Sequence, residues 1–221
     1  MSNTTEAAGG ALTDEAKRWD GPPLEAWRPW SPEQAAERLE GCGAAWCVVG
    51  GWAIDLALGR VTREHEDLEI GVPQAAFPRV LRHLQQQGYV LHEAADGETR
   101  RLGPGEPPRP PSHQAWVEET PERVWRLDVM LEPTEPPTWL SWRHADTRAP
   151  FDFMVAAGPI PHLKPHGVLL YKAKWMRPKD EADLANALPM LSADERAWLI
   201  EALQLAHPGH AWIQRLRSGA A

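Results

Sequence analysis

The sequence predicts an α+β protein: a small mixed sheet flanked by helices over residues 31–160, followed by a helical region over 161–221. Two observations predict it. Up to about residue 160, apolar residues come in short runs or alternate with polar ones, and glycine or proline ends each run. From Pro165 onward the patterning turns helical and stays so. The chain has 221 residues, enough for one α/β core with a helical appendage.

The elements follow in order. Residues 1–30 begin with Ser, Asn, Thr, Gly and Ala and reach Gly21-Pro22-Pro23, which reads as a loosely ordered segment whose Trp19, Trp27 and Trp30 can dock on the body. Ser31-Pro32-Glu33-Gln34 is a helix start: a Ser cap, Pro at the first helical position and Gln at the third. That helix runs to Glu40 and stops at Gly41. Residues 45–49 form a short buried strand, Gly50-Gly51 follow at once, and 52–58 form a short helix closed by Gly59. After a charged loop, Asp67-Leu68-Glu69-Ile70 alternates as a strand with two different faces does. A helix over 73–87 buries Phe77, Val80, Leu81 and Leu84, and Gly88 ends it. A strand begins at 89–92, residues 103–112 hold too many prolines for any regular element, and strands follow at 113–117 and 124–131. The stretch 138–160 is mixed and supports no assignment. Helices over 165–175, 179–188, 193–205 and 208–216 complete the chain, and no internal repeat is present.

The net charge of -8 argues against a nucleic-acid binder, which carries a basic face, and suits a cationic small-molecule partner. Cys42 and Cys47, five apart with no His pair, make neither a zinc site nor an expected disulfide, and Cys47 reads as a buried small hydrophobe. No apolar leader and no stretch of ~18 apolar residues occurs. The expected compartment is therefore the cytoplasm, where ATP and Mg²⁺ abound.

Three features carry chemistry. Gly50-Gly51, between a strand and a helix, lets backbone approach a phosphate with the helix N–H groups aimed at it; glycine also serves many ordinary turns. Asp67 and Glu69 lie two apart on a strand and share a face, so their charges repel unless a cation lies between them or water covers them. Asp128 is a lone acid in Arg126-Leu127-Asp128-Val129-Met130-Leu131; it either pairs with Arg126 or joins the first two acids. Together they suit nucleotidyl transfer, an in-line displacement needing metal, a phosphate cradle and a base for the attacking hydroxyl.

The run Gly50-Gly-Trp-Ala-Ile-Asp-Leu-Ala-Leu-Gly-Arg-Val-Thr-Arg-Glu-His-Glu-Asp-Leu-Glu-Ile70 closely resembles the core motif of the aminoglycoside 2''-nucleotidyltransferase and lincosamide nucleotidyltransferase group, within the DNA polymerase β-like superfamily. The resemblance implies a nucleotidyltransferase fold. It implies that Asp67, Glu69 and Asp128 hold Mg²⁺, two ions in all, with Asp128 also the candidate general base. It places Gly50 and Gly51 against the triphosphate of ATP or another NTP. Glu69 stands where Asp is commoner. Residues 169–183 resemble the helical part of the same group, whose lysines are candidate triphosphate contacts. Lys172 and Lys174, two apart on a helix, point to different sides, and Lys174 is the expected contact. Arg63 is a second candidate phosphate cation, His65 a weaker one. Trp116, Trp125, Trp139 and Trp142 are candidate walls of an acceptor pocket. Glu118, Glu119, Glu132 and Glu135 are candidate partners for ammonium groups, with a solvated acidic loop favoured instead.

The implied function is Mg²⁺-dependent transfer of AMP from ATP to a hydroxyl of an aminoglycoside or lincosamide antibiotic, by a monomer or homodimer that binds neither nucleic acid nor membrane. Alternatives are a protein-adenylylating antitoxin-type enzyme and a nucleotide-binding protein without turnover.

Overall fold

Ser31 starts the first helix as its sequence predicts. In α1 (Pro32–Leu39) the Ser31 hydroxyl accepts from the Gln34 N–H at 3.3 Å while the Gln34 side chain accepts from the Ser31 N–H at 3.0 Å. Strand β1 (Cys47–Val48) is short because Gly50, at φ +65°, turns the chain directly into α2 (Gly50–Leu58). Both glycines thus lie in the first turn of α2, two residues earlier than expected. A left-handed Gly59 ends it. The computed structural model describes residues 21–95, 98–110 and 112–219, so Trp19 lies outside it.

Strand β2 (Glu69–Pro73) is followed by a single 3₁₀ turn and α3 (Phe77–Gln86). Pro73 therefore ends a strand and does not open the helix. It sits at the last strand position, where losing an N–H is tolerated. Then come β3 (Val90–Ala95), β4 (Glu98–Arg101), β5 (Gln114–Glu119) and β6 (Val124–Glu132). The stretch without a sequence assignment holds a separate hairpin-like pair, β7 (Thr138–Leu140) with β8 (Arg148–Pro150), then α4 (Phe151–Met154) and β9 (Val155–Ala156). After β10 (His162–Leu163) the chain is helical: α5 (Pro165–Lys172), α6 (Pro178–Ala187), α7 (Ala193–Ala206) and α8 (Trp212–Ser218).

Eight strands form one mixed sheet in the order β4-β3-β5-β6-β2-β1-β10-β9. The β2–β6 and β1–β10 pairs are parallel and the rest antiparallel. The sheet runs past residue 160: β10 lies against β1 with Val48 opposite His162, so a boundary at 160 would cut it. Leu68, Ile70 and Val72 of the β2 segment, Leu127 and Val129 of β6, and Phe77, Val80, Leu81 and Leu84 of α3 are fully buried, which accounts for the alternation read in the sequence.

The segment 26–30, expected to be loosely ordered, is docked. The Arg28 and Trp30 N–H groups donate to the Trp125 and Arg126 carbonyls at 3.0 Å, and the Trp125 N–H donates to Ala26 at 2.9 Å. It takes the flank of β6 that β2, starting opposite Asp128, leaves bare. Trp30 is buried against Tyr89, with the Arg38 guanidinium 4.7 Å over its ring.

Candidate active site

The parallel pairing of β2 with β6 sets the site. Glu69 lies directly opposite Asp128, and Trp116 of β5 lies opposite Asp128 on the other side. Residues in register share a face, so the sheet brings the two carboxyls side by side. Asp67 lies in the loop two residues ahead of Glu69, exposed, just outside the strand expected to hold it. The Asp128 N–H donates to the Leu68 carbonyl at 2.8 Å, which carries the pairing one step beyond the strand.

The acids perturb one another. Burial is the main cause that lifts the Glu69 carboxyl to about 7; Asp67 adds to it, and Lys172, Lys179 and Arg177 oppose it. Burial also lifts Asp128 well above the usual carboxylate range, reinforced by Glu69 and Asp67 and partly offset by the Trp116 indole. The Asp128 Oδ1 is buried without a hydrogen-bond partner. Arg126, its expected partner, is committed to Glu119 at 2.6 Å and Glu122 at 2.8 Å. Oxygen donors crowded together with an orphaned carboxyl atom fit a hard divalent cation. Among the described residues, however, no three His, Cys, Asp or Glu side chains close on one point. Glu69 folds over Gly50, where any Cβ would collide with its carboxylate, and Asp67 stays in solvent.

The start of α2 stands beside Glu69. No side chain caps it, so its first N–H groups face outward from Gly50 and Gly51. At Gly51 a Cβ would displace the Arg63 guanidinium and press on the His65 ring. Arg63 therefore does sit at the helix start, with Nη2 3.5 Å from Asp183 of α6. His65 does not reach out: it is 2.7 Å from Asp55 and stacked on Trp52 at 4.3 Å, and so holds the loop.

Lys172 and Lys174 lie on opposite sides of the pocket wall from where the sequence suggests. Lys172, at the end of α5, is buried with its ammonium 2.8 Å from Asp183 and 3.4 Å from Asp180, and it lines the pocket that also exposes Gly50 and Glu69. Lys174 is exposed, its ammonium 4.5 Å over the Trp175 ring. The helix α5 ends at Lys172, short of the expected 175, so Lys174 lies in the turn that follows, and the packing of α5 on α2 and α6 leaves Lys172 facing inward.

That pocket, of about 290 Å³, continues along β6 past Met130 to Glu132, under Tyr171, Arg143 and Trp142. Glu132 is not part of a solvated loop. Burial lifts its carboxyl to about 7, Tyr171 and Arg143 oppose the shift, and the Tyr171 hydroxyl donates to it at 3.0 Å. Its parity with Asp128 on the strand was the available signal. The other candidate acids lie elsewhere: Glu118 is buried against His92 at 2.7 Å, Glu119 holds Arg126, and Glu135 is exposed. Of the tryptophans, Trp116 and Trp125 pack edge-to-face with each other, and Trp139 packs on Tyr171 and Trp198. Only Trp142 of those four lines the pocket. Cys42 and Cys47 are buried and free, and burial pushes the Cys47 thiol up to about 12. Among the described residues no helix is long and apolar enough to cross a membrane.

The family model described as aminoglycoside-2''-adenylyltransferase matches residues 33–102, which span α1 to β4 and include Gly50, Gly51, Arg63, Asp67 and Glu69. No curated protein matches the sequence. Among solved structures, the antibiotic-resistance factor ANT(2'')-Ia in solution is 16% identical at a TM-score of 0.52, over 78% of this chain and 88% of that one. ANT(2'')-Ia in complex with adenylyl-2''-tobramycin is 16% identical at 0.51, over 75% and 91%. The lincomycin-bound lincosamide antibiotic adenylyltransferase LnuA is 16% identical at 0.50, over 74% and 99%. The chain thus carries the nucleotidyltransferase fold and, over residues 33–102, the sequence pattern of the aminoglycoside-2''-adenylyltransferases.

Proposed function

We propose that this protein transfers a nucleoside monophosphate, AMP from ATP, to a hydroxyl of a small-molecule acceptor of the aminoglycoside or lincosamide kind, in the cytoplasm. One observation carries the reading: Glu69 and Asp128 lie in register on neighbouring strands, immediately beside the uncapped, glycine-opened start of α2. An uncapped helix start attracts phosphate, and paired carboxylates attract a divalent cation.

Asp67, Glu69 and Asp128 would hold the magnesium. Bound there, magnesium neutralises triphosphate charge and makes the acceptor hydroxyl more acidic. The backbone of Gly50 and Gly51 receives the β- and γ-phosphates, and Arg63 and Lys172 supply positive charge beside them. The acceptor oxygen attacks the α-phosphorus, the bond to the bridging oxygen breaks, and pyrophosphate leaves. Asp128 accepts the hydroxyl proton through its uncommitted oxygen.

The test is pyrophosphate release from ATP and Mg²⁺ across a panel of aminoglycosides and lincosamides, with Asp67→Ala alongside. Acceptor-dependent release that disappears in the variant supports the reading. ATP binding without release, with every acceptor, would sink it.

A further inference from the structure

The two cations at the glycine-opened helix start are joined by a residue that does not itself line the pocket. The Arg63 guanidinium lies against Gly51, and Lys172 lines the pocket together with Gly50. They come from distant parts of the chain, Arg63 from the loop between α2 and β2 and Lys172 from the end of α5. One buried oxygen meets both: Oδ2 of Asp183, on α6, is 2.8 Å from the Lys172 Nζ and 3.5 Å from the Arg63 Nη2. Helix α6 packs on both α2 and α5, which delivers Asp183 to that point. Asp180, one turn earlier on the same helix face, reaches Lys172 at 3.4 Å but is committed otherwise. Its Oδ2 accepts from the Arg177 N–H at 2.9 Å and so helps to start α6. Asp183 is not part of that cap.

Resting on the function proposed above, we propose that Asp183 is a positioning residue for the triphosphate: by gripping Arg63 and Lys172 with one oxygen it fixes their spacing at the start of α2 before the nucleotide arrives. Arg63 and Lys172 carry like charges and repel at this separation, and a carboxylate between them offsets the repulsion. Buried ion pairs add little to fold stability, since desolvation cancels most of the attraction. A buried cluster of three charges at this place is therefore explained by what it holds in position. Charges already fixed in place hold a ligand better than mobile ones, because nothing has to be ordered on binding. Both cations stand where the β- and γ-phosphates are proposed to lie, so Asp183 acts on those phosphates and not on the α-phosphate or the base. The charge of Asp183 taken alone works the other way. It is an anion near a phosphate site, and its removal should favour a triphosphate. Positioning and plain electrostatics thus give opposite signs for the same substitution.

The experiment is an equilibrium titration of the full chain, by calorimetry, with ATP and Mg²⁺ and separately with AMP. Asp183→Asn keeps the shape and removes the charge, and it is expected to weaken ATP ~10-fold while AMP changes less than about twofold. Asp183→Glu keeps the charge but carries the oxygen a methylene further, and it is expected to weaken ATP as well. Glu181→Gln is the control for a staple of α6 away from the pocket, since Glu181 accepts from the Trp212 indole of α8 at 2.7 Å. It is expected to lower the melting temperature and leave ATP affinity in place. Unchanged or tighter ATP binding by Asp183→Asn, equal losses for ATP and AMP, or natural ATP affinity in Asp183→Glu overturns the proposal. If Asp183→Asn does not fold, Asp183→Glu decides by the same comparison of ATP with AMP. Pyrophosphate release, read in parallel, separates the two ideas. Release together with ATP affinity indifferent to Asp183 removes the positioning role and leaves the transferase reading standing. The expected selective loss of ATP, without release under any acceptor, supports the positioning role and removes the transferase reading.

Discussion

Gly50 is the residue at which backbone and chemistry meet. Its φ of +65° disfavours any side chain, and a Cβ there would also force the Glu69 carboxylate lying over it to move. Gly50→Ala is expected to cost about 1–2 kcal/mol from the left-handed backbone alone, with more from the collision, and to displace Glu69. Urea unfolding and pyrophosphate release would check the two effects separately. At Lys172 the expected outcome is a selective one. Lys172→Met should weaken ATP by ~10-fold or more, as loss of a charged hydrogen-bonding group does, while Lys174→Met should change it less than twofold. Equal effects at the two positions would contradict the placement of Lys172 beside Glu69. Most of these site residues were legible in the sequence because they fall within one short run, where Gly50, Gly51, Arg63, Asp67 and Glu69 are fixed by local spacing. Glu132 was legible only through strand parity. The choice between Lys172 and Lys174 was not, because the end of α5 at Lys172, which leaves Lys174 in a turn, is set by packing and not by local spacing.

Among the elements, the ends that announce themselves chemically behave as read. The Ser31 box is reciprocal, and Ser31→Ala is expected to cost about 1 kcal/mol in urea unfolding while leaving the KM for ATP alone, since α1 lies outside the pocket lining. A change in KM larger than twofold would contradict that separation. Gly59 and Gly88 likewise stop their helices or follow at once, both at positive φ. The start of α2 is different. It has no side-chain cap, and the glycines that read as a turn belong to the helix itself. Pro73 misled in the same way: proline opens helices and also closes strands, and only the pairing of Pro73 with Glu132 distinguishes the two. The stretch over 138–160 could not be assigned because its strands are two or three residues long, too short to show a period.

For the whole molecule, buried titratable groups shape the pH dependence of stability. Glu69 and Glu132, both held near 7, keep protons in the folded chain that the unfolded chain, with carboxyls near 4.5, has released. Folding takes up protons between those values, so stability falls as pH rises from about 4.5 through 7 and levels off above. Glu132→Gln should flatten part of that fall, at most about 3 kcal/mol. His166 acts in the opposite sense. Burial is the main cause that lowers its imidazole to about 4, so below the ordinary value of 6.5 the unfolded chain binds a proton that the folded chain refuses. Stability is lost there as pH falls toward 4, and His166→Gln should remove that slope. Urea unfolding from pH 4 to 8 reads both arms, and unchanged slopes in the two variants would contradict these assignments. Because Glu69 and Asp128 lie in register on neighbouring strands, Mg²⁺ should also raise the melting temperature of the nucleotide-free protein, and the double variant Asp67→Asn, Glu69→Gln should abolish the rise.

By itself the sequence determined what is local: the α+β class, the glycines that follow β1, the close spacing of Asp67 and Glu69, and the caps, each dictated by backbone sterics or by spacing of a few residues. Only the tertiary structure decided what depends on pairing and orientation at a distance. It placed Asp128 opposite Glu69, docked residues 26–30 on β6, carried the sheet on to β10, turned Lys172 inward, and set Glu132 against the Tyr171 hydroxyl. The physical reason is that strand register and helix azimuth are fixed by burial summed over the whole core, and no short stretch of chain contains that sum.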